Sequence, residues 1–114
     1  MPHFILDCSQ NILQQQAPEK IMQTVFEAAN ATGLFKAGDI KVRINPFQHY
    51  TVGNQVDDFI HVFGNIMEGR NVAQKANLSK KIITVLKPLF PNIPILSINI
   101  RDFEKESYCN KNMI

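Results

Sequence analysis

Phe59-Ile60-His61-Val62-Phe63-Gly64-Asn65-Ile66-Met67 lies midway along the chain, and its reading decides the fold. The run is short and extended in character, as a strand is. Its apolar residues stand side by side, Phe59 beside Ile60 and Val62 beside Phe63, so they point to opposite faces of whatever sheet they join. A strand of that kind belongs to a sheet covered on both faces. Working outward, Glu68-Gly69-Arg70 reads as a turn and Asn71 as the N-cap of a helix. Ala76, Leu78, Ile82, Val85, Leu86 and Leu89 then form a helical stripe, with Lys75, Lys80, Lys81 and Lys87 mainly toward solvent. Pro88 and Pro91 close that helix, residues 93–100 read as a further strand, and the polar tail 101–114 should lie over the surface or over a neighbour.

The half of the chain before this run has the same order. Residues 2–8 are apolar and extended, and residues 9–16 form a polar connector. Pro18 and Glu19 suit a first helical turn, Ile21, Val25, Ala28, Ala29 and Thr32 recur at helical spacing, and Gly33 stops a helix over 18–32. After the Ala37-Gly38-Asp39 turn, Ile40, Val42 and Ile44 alternate with Lys41, Arg43 and Asn45 until Pro46. That pattern is a half-buried strand with two cations on one face. The fold class is therefore α/β (α+β): two βαβ units forming a four-stranded mixed sheet with two helices on one face. Right-handed crossovers put both helices on the same side. Ile5 beside Leu6 and Ile95 beside Leu96 nevertheless send apolar side chains to the other side. No sequence remains to cover it, which implies a homo-oligomer packed sheet against sheet.

A chain of 114 residues and 13.0 kDa fits one domain over 1–114. A net charge of +2 is too small for a dominant nucleic-acid or anionic-membrane footprint. The start of the chain lacks the cationic flank of a signal peptide, and no apolar run approaches the length of a membrane helix. Cys8 and Cys109 do not make a disulfide framework, so reduced thiols in the cytoplasm are the expectation. His3 and His61 fall on strands as packed, hydrogen-bonded residues, and His49 falls on a loop. Their spacing suggests no metal site. There is no Gly-rich phosphate loop, His-Glu-x-x-His, nucleophile elbow or Cys-x-x-Cys, which suits chemistry without a cofactor.

Met-Pro-His-Phe-Ile at the start, Ala31-Thr32-Gly33-Leu34-Phe35, Ile40-Lys41-Val42-Arg43, Phe59-Ile60-His61-Val62 and Gly69-Arg70 occur in an order that resembles the 5-carboxymethyl-2-hydroxymuconate Δ-isomerase family of the tautomerase superfamily. The tail Tyr108-Cys109-Asn110-Lys111-Asn112 is also similar. The resemblance implies a tautomerase fold, a homotrimer, and an isomerase in aromatic catabolism that uses an N-terminal proline and no cofactor. Once the initiator methionine is removed, Pro2 carries a free secondary amine, and burial among cations lowers such an amine toward neutrality. Substrates of the resembled enzymes are polycarboxylated dienols, whose reaction builds enolate charge and calls for cations. Arg43 and Arg70 are the catalytic candidates beside Pro2, and the amino end of the second long helix adds a favourable field at Arg70. Lys41, Phe47 and Tyr50 are the substrate-binding candidates, Lys41 by charge and the two aromatics by walling an apolar part of the pocket from the loop 46–58, with packing on the subunit boundary the equal alternative for these loop residues. Relatives often carry arginine at the place of Lys41; lysine keeps the charge and loses the planar fork. A tautomerase of another 2-oxo acid, phenylpyruvate-like, and a non-catalytic trimeric binding or signalling protein are the alternatives.

Overall fold

The computed structural model describes residues 1–114. Strand β1 (His3–Ser9) leads through a short helix α1 (Ile12–Gln15) into helix α2 (Pro18–Ala31) and back to strand β2 (Lys41–Phe47). Strand β3 (Phe59–Met67), helix α3 (Val72–Leu86) and strand β4 (Ile95–Phe103) repeat the pattern. The sheet order is β2-β1-β3-β4. Each βαβ unit is internally parallel, and the two join through the antiparallel pair β1 and β3, with His3 opposite Asn65 and Cys8 opposite Ile60.

The helix-facing side of the sheet is the core. Phe4, Leu6 and Cys8 of β1 and Ile60, Val62 and Ile66 of β3 pack in one cluster with Ile21, Val25, Ala28 and Ala29 of α2 and Leu78, Ile82 and Leu86 of α3. Burial of apolar side chains at this scale is the main stabilising term. Gly64 belongs to the same face, where an added Cβ would lie 2.6 Å from Ile100 Cδ1 and 3.2 Å from the Phe4 ring. The missing side chain is what admits that ring. Helix α3 begins with a reciprocal cap: Asn71 Oδ1 accepts from Gln74 N–H at 2.8 Å, and Gln74 Oε1 accepts from Asn71 N–H at 2.9 Å.

Several boundaries differ from the sequence reading for physical reasons. The connector 9–16 contains a helical turn, because Ile12 is buried and ties it to the core. Pro46 does not end β2 but pairs with Cys8. Strand β2 is an edge strand, so a residue without an N–H is tolerated there. Strand β4 starts at Ile95 and takes in three residues of the expected polar tail, to Phe103, because β3 offers partners as far as Met67. Ala76 is exposed rather than part of the buried stripe of α3.

The helix-free side carries Ile5, Phe59, Phe63 and Ile95, all half-buried, as the neighbouring apolar pairs implied. It is more polar than those pairs alone suggest. Its rungs run Lys41, His3, Asn65, Arg101; then Arg43, Ile5, Phe63, Asn99; then Asn45, Asp7, His61, Ser97. His61 bridges two residues of β4, with Nδ1 2.7 Å from Ser97 Oγ and Nε2 2.6 Å from Asn99 Oδ1. No helix is long and apolar enough to cross a membrane.

Candidate active site

The start of the chain enters a central strand, and the register decides what surrounds it. Pro2 is buried, and its carbonyl accepts from the backbone N–H of Lys41 at 3.1 Å. The helical turn Ala37–Asp39 delivers Lys41 to the rung of His3, where Lys41 Nζ donates to the Asp39 carbonyl at 2.7 Å and lies 3.9 Å from Met1 Sδ.

Arg70 arrives from the other direction. Strand β3 runs antiparallel to β1, so its end returns to the level of the chain start, and Gly69 makes the turn at φ 121°. The Arg70 guanidinium donates to the Met67 carbonyl at 3.2 Å and to the Leu34 carbonyl at 2.6 Å. It also lies 5.2 Å from the centre of the Phe35 ring, which meets Phe4 edge-on. These bonds hold Arg70 between the end of β3 and the segment that follows α2.

Arg43 sits two residues further along β2, opposite Ile5, yet its Nη1 is 3.0 Å from His3 Nδ1. Sequence reasoning gave His3 only a packing role. The signal for more was its place next to Pro2, with the same strand parity as the cationic face of β2.

Electrostatics tie these groups together. The amine of the first residue is held below its ordinary value, first by burial and then by Lys41 and Arg70, against an opposing pull from Asp39. His3 is also pushed down, by burial first, then by Arg43, Lys41 and the chain-start amine. A basic group placed here is therefore biased toward its neutral, proton-accepting form.

Phe47 and Tyr50 are not part of this cluster within one chain. Phe47 pairs with Ser9, at the opposite end of β1 from His3, and six steps of strand separate it from Lys41 by about 20 Å. Tyr50 packs on Phe59 with ring centres 5.0 Å apart, and both candidates line a shallow depression of about 170 Å³ with Gln10, Asn11, Gln48 and Val56. None of the four depressions on the surface is lined by Pro2, Lys41, Arg43 or Arg70.

Two βαβ units sharing one sheet, with the first residues set among cations, define an isomerase of the tautomerase fold, and comparison with known proteins narrows the class. The family profile of 5-carboxymethyl-2-hydroxymuconate isomerase matches residues 2–114. The chain belongs to that family. It is 25% identical over 92 residues to a 5-carboxymethyl-2-hydroxymuconate Delta-isomerase of Escherichia coli, which spans 79% of this chain and 73% of that protein. It also superimposes on the crystal structure of a 5-carboxymethyl-2-hydroxymuconate isomerase from Deinococcus radiodurans R1 with a TM-score of 0.85 at 24% identity, covering 96% of this chain and 88% of that one. A fused 4-OT described as a symmetric trimer shares the fold at a TM-score of 0.80 and 14% identity, over 96% and 92% of the two chains.

Proposed function

We propose that this isomerase converts a 5-carboxymethyl-2-hydroxymuconate-like polycarboxylate, in the breakdown of aromatic compounds in the cytoplasm, with Pro2 as acid and base and with no cofactor. The amine of Pro2 takes a proton from the dienol at one position and returns it to carbon at another, while the double bonds shift and the 2-hydroxyl becomes a 2-oxo group. Nothing is gained or lost overall. Arg43 and Arg70 hold the carboxylate and the 2-oxygen on which negative charge develops, and Lys41 assists.

The observation that carries this reading is the setting of the chain start: Pro2 is buried, its carbonyl accepts from the Lys41 N–H at 3.1 Å, and the adjoining Met1 amine is pushed down by burial and by Lys41 and Arg70, against an opposing pull from Asp39. The reading needs Met1 to be removed. While it is attached, the Pro2 nitrogen is a tertiary amide without a basic lone pair. The working unit in this reading is a homotrimer of single-domain subunits, supported by the part-apolar helix-free face and by the trimer in which a fused relative of this fold is described. In that assembly Phe47 and Tyr50 of one subunit would wall the site of a neighbour.

The test combines intact mass with an ultraviolet assay of ketonisation. A mass lacking Met1, with kcat/KM at least about a hundredfold lower in Pro2→Ala, is the expected result. Full activity in that variant would remove Pro2 from the chemistry. A monomer by sedimentation at micromolar concentration would overturn the trimer.

A further inference from the structure

Arg43 has an unexpected reach. Its Cα stands opposite Ile5, one full rung of this face beyond His3, and two residues of strand span about 7 Å. Its guanidinium should stand over Ile5 or run out into solvent. Instead Nη1 lies 3.0 Å from His3 Nδ1, drawn back to the level of Pro2 and Lys41. A guanidinium has no acceptor, so the hydrogen bond has one possible sense: Arg43 donates and His3 Nδ1 accepts, which leaves the ring proton on Nε2. The ring itself is held by an edge-on contact with Phe103 at 5.9 Å, and Phe103 is backed by Tyr108.

We infer that His3 is a positioning residue for Arg43, its neutral imidazole holding the guanidinium at the chain start where it can meet a substrate carboxylate. The inference rests on the proposed role of Arg43 in substrate binding. The surroundings of the ring leave little support for a charged His3. From β2 it faces Lys41 and Arg43, from β3 Asn65, from β4 Arg101 and Phe103, and from the residues before its own strand the amine of Met1. Asp39, in the turn before β2, acts on that amine, and Asp7, two rungs away, accepts from Asn45 Nδ2 at 3.4 Å. The chain's one ion pair, Lys75 with Asp102, lies off this face, since Asp102 has the opposite parity to Arg101. A proton on Nδ1 would turn the acceptor into a donor and set a second cation against the guanidinium, so acidification releases Arg43.

The test sets two variants against each other. His3→Asn puts a carbonyl oxygen near the place of Nδ1 and does not titrate; it should keep KM within about twofold of wild type at neutral pH and flatten the acid side of the KM profile. His3→Leu removes the acceptor and should raise KM roughly tenfold, the loss of one charge-assisted bond, with kcat less affected. The double variant His3→Leu with Arg43→Ala should be no worse than Arg43→Ala alone. By NMR, the His3 ring should titrate below its ordinary range in the wild-type protein and move up in Arg43→Ala, a readout that needs no activity and no folding of the leucine variant. Equal behaviour of the asparagine and leucine variants, additive losses, or an unmoved His3 titration in Arg43→Ala would each overturn the inference while leaving the role of Arg43 standing. An Arg43→Ala enzyme with unchanged KM overturns both together.

Discussion

Arg70 has two kinds of work assigned to it, and replacing it with alanine separates them. The guanidinium bridges the Met67 and Leu34 carbonyls at 3.2 and 2.6 Å and covers the Phe35 ring. A hydrogen bond from a charged donor contributes about 1.5–3 kcal/mol and an accessible cation–π contact about 0.5–1 kcal/mol. Arg70 is half-exposed, so water can take over part of the vacated bonding, and the net loss should be about 2–3 kcal/mol. With an unfolding entropy of about 2.1 cal/mol/K per residue over 114 residues, 1 kcal/mol corresponds to about 4 °C, and Tm should fall by about 8–12 °C. If the same group also stabilises charge on the substrate, kcat/KM measured well below both transitions should fall by a further ~30- to 1000-fold, equivalent to about 2–4 kcal/mol. Arg70→Lys keeps a charge but cannot span two carbonyls, so it should recover part of the activity and little of the stability. Protein concentration must be held fixed, since assembly makes Tm concentration-dependent. A Tm within about 2 °C of wild type would refute the bridging geometry. A large drop in Tm with unchanged kcat/KM would reduce Arg70 to a structural clamp and refute its place in the site.

Other expectations are more local. Gly64→Ala should cost about 1–3 kcal/mol in urea unfolding, because the new methyl meets Ile100 Cδ1 and the pinned Phe4 ring, and Ile100→Val in the same chain should restore part of it; an unchanged midpoint would mean the face has slack. Asn71→Ala should cost about 1 kcal/mol by removing one side of the cap of α3, whereas Asn71→Asp should cost far less. Burial, then Asp7, pushes the Cys8 thiol up to about 11, so native protein at pH 8 should react with a thiol reagent at the exposed Cys109 alone and at both cysteines in denaturant. The sign of the linked stability follows. The unfolded thiol ionises near 9.0 while the folded one stays protonated, so this term favours unfolding as pH rises from about 9 to about 11. Equal labelling of both cysteines in native protein would contradict the packing of β1.

Local pattern was enough for most of the fold. Alternation of Ile40, Val42 and Ile44 with Lys41, Arg43 and Asn45, the helical spacing from Ile21 to Ala29, and the paired apolar residues of β3 each carry a period that only one element satisfies. The departures share a cause, since pairing partners override local signals. Pro46 is absorbed because β2 is an edge, residues 101–103 become strand because β3 extends that far, and Ile12 turns a polar connector into a helical turn. Within the candidate site, the strand order brings Lys41 beside the chain start and Arg70 near enough to act on the Met1 amine, whereas the bond between His3 and Arg43 was not legible. It joins residues 40 apart in sequence and depends on a parallel register that no local period encodes.

The same register places a limit on the site that composition could not reveal. In a parallel pair both strands advance together, so a residue at the end of β2 travels with the end of β1 and away from Pro2. Lys41 lies beside His3 and Phe47 beside Ser9, and that six-residue step keeps Phe47 about 20 Å from the chain start, while Tyr50 packs on Phe59 at the same far end. One chain thus holds Pro2 and the cations at one end of its strands and the aromatic candidates at the other. If both ends serve one substrate, they must belong to different copies, with the end of one sheet brought against the start of the next. On that proposal a multi-chain site is called for by two independent features: a helix-free face left uncovered, and site candidates that the strand register keeps apart.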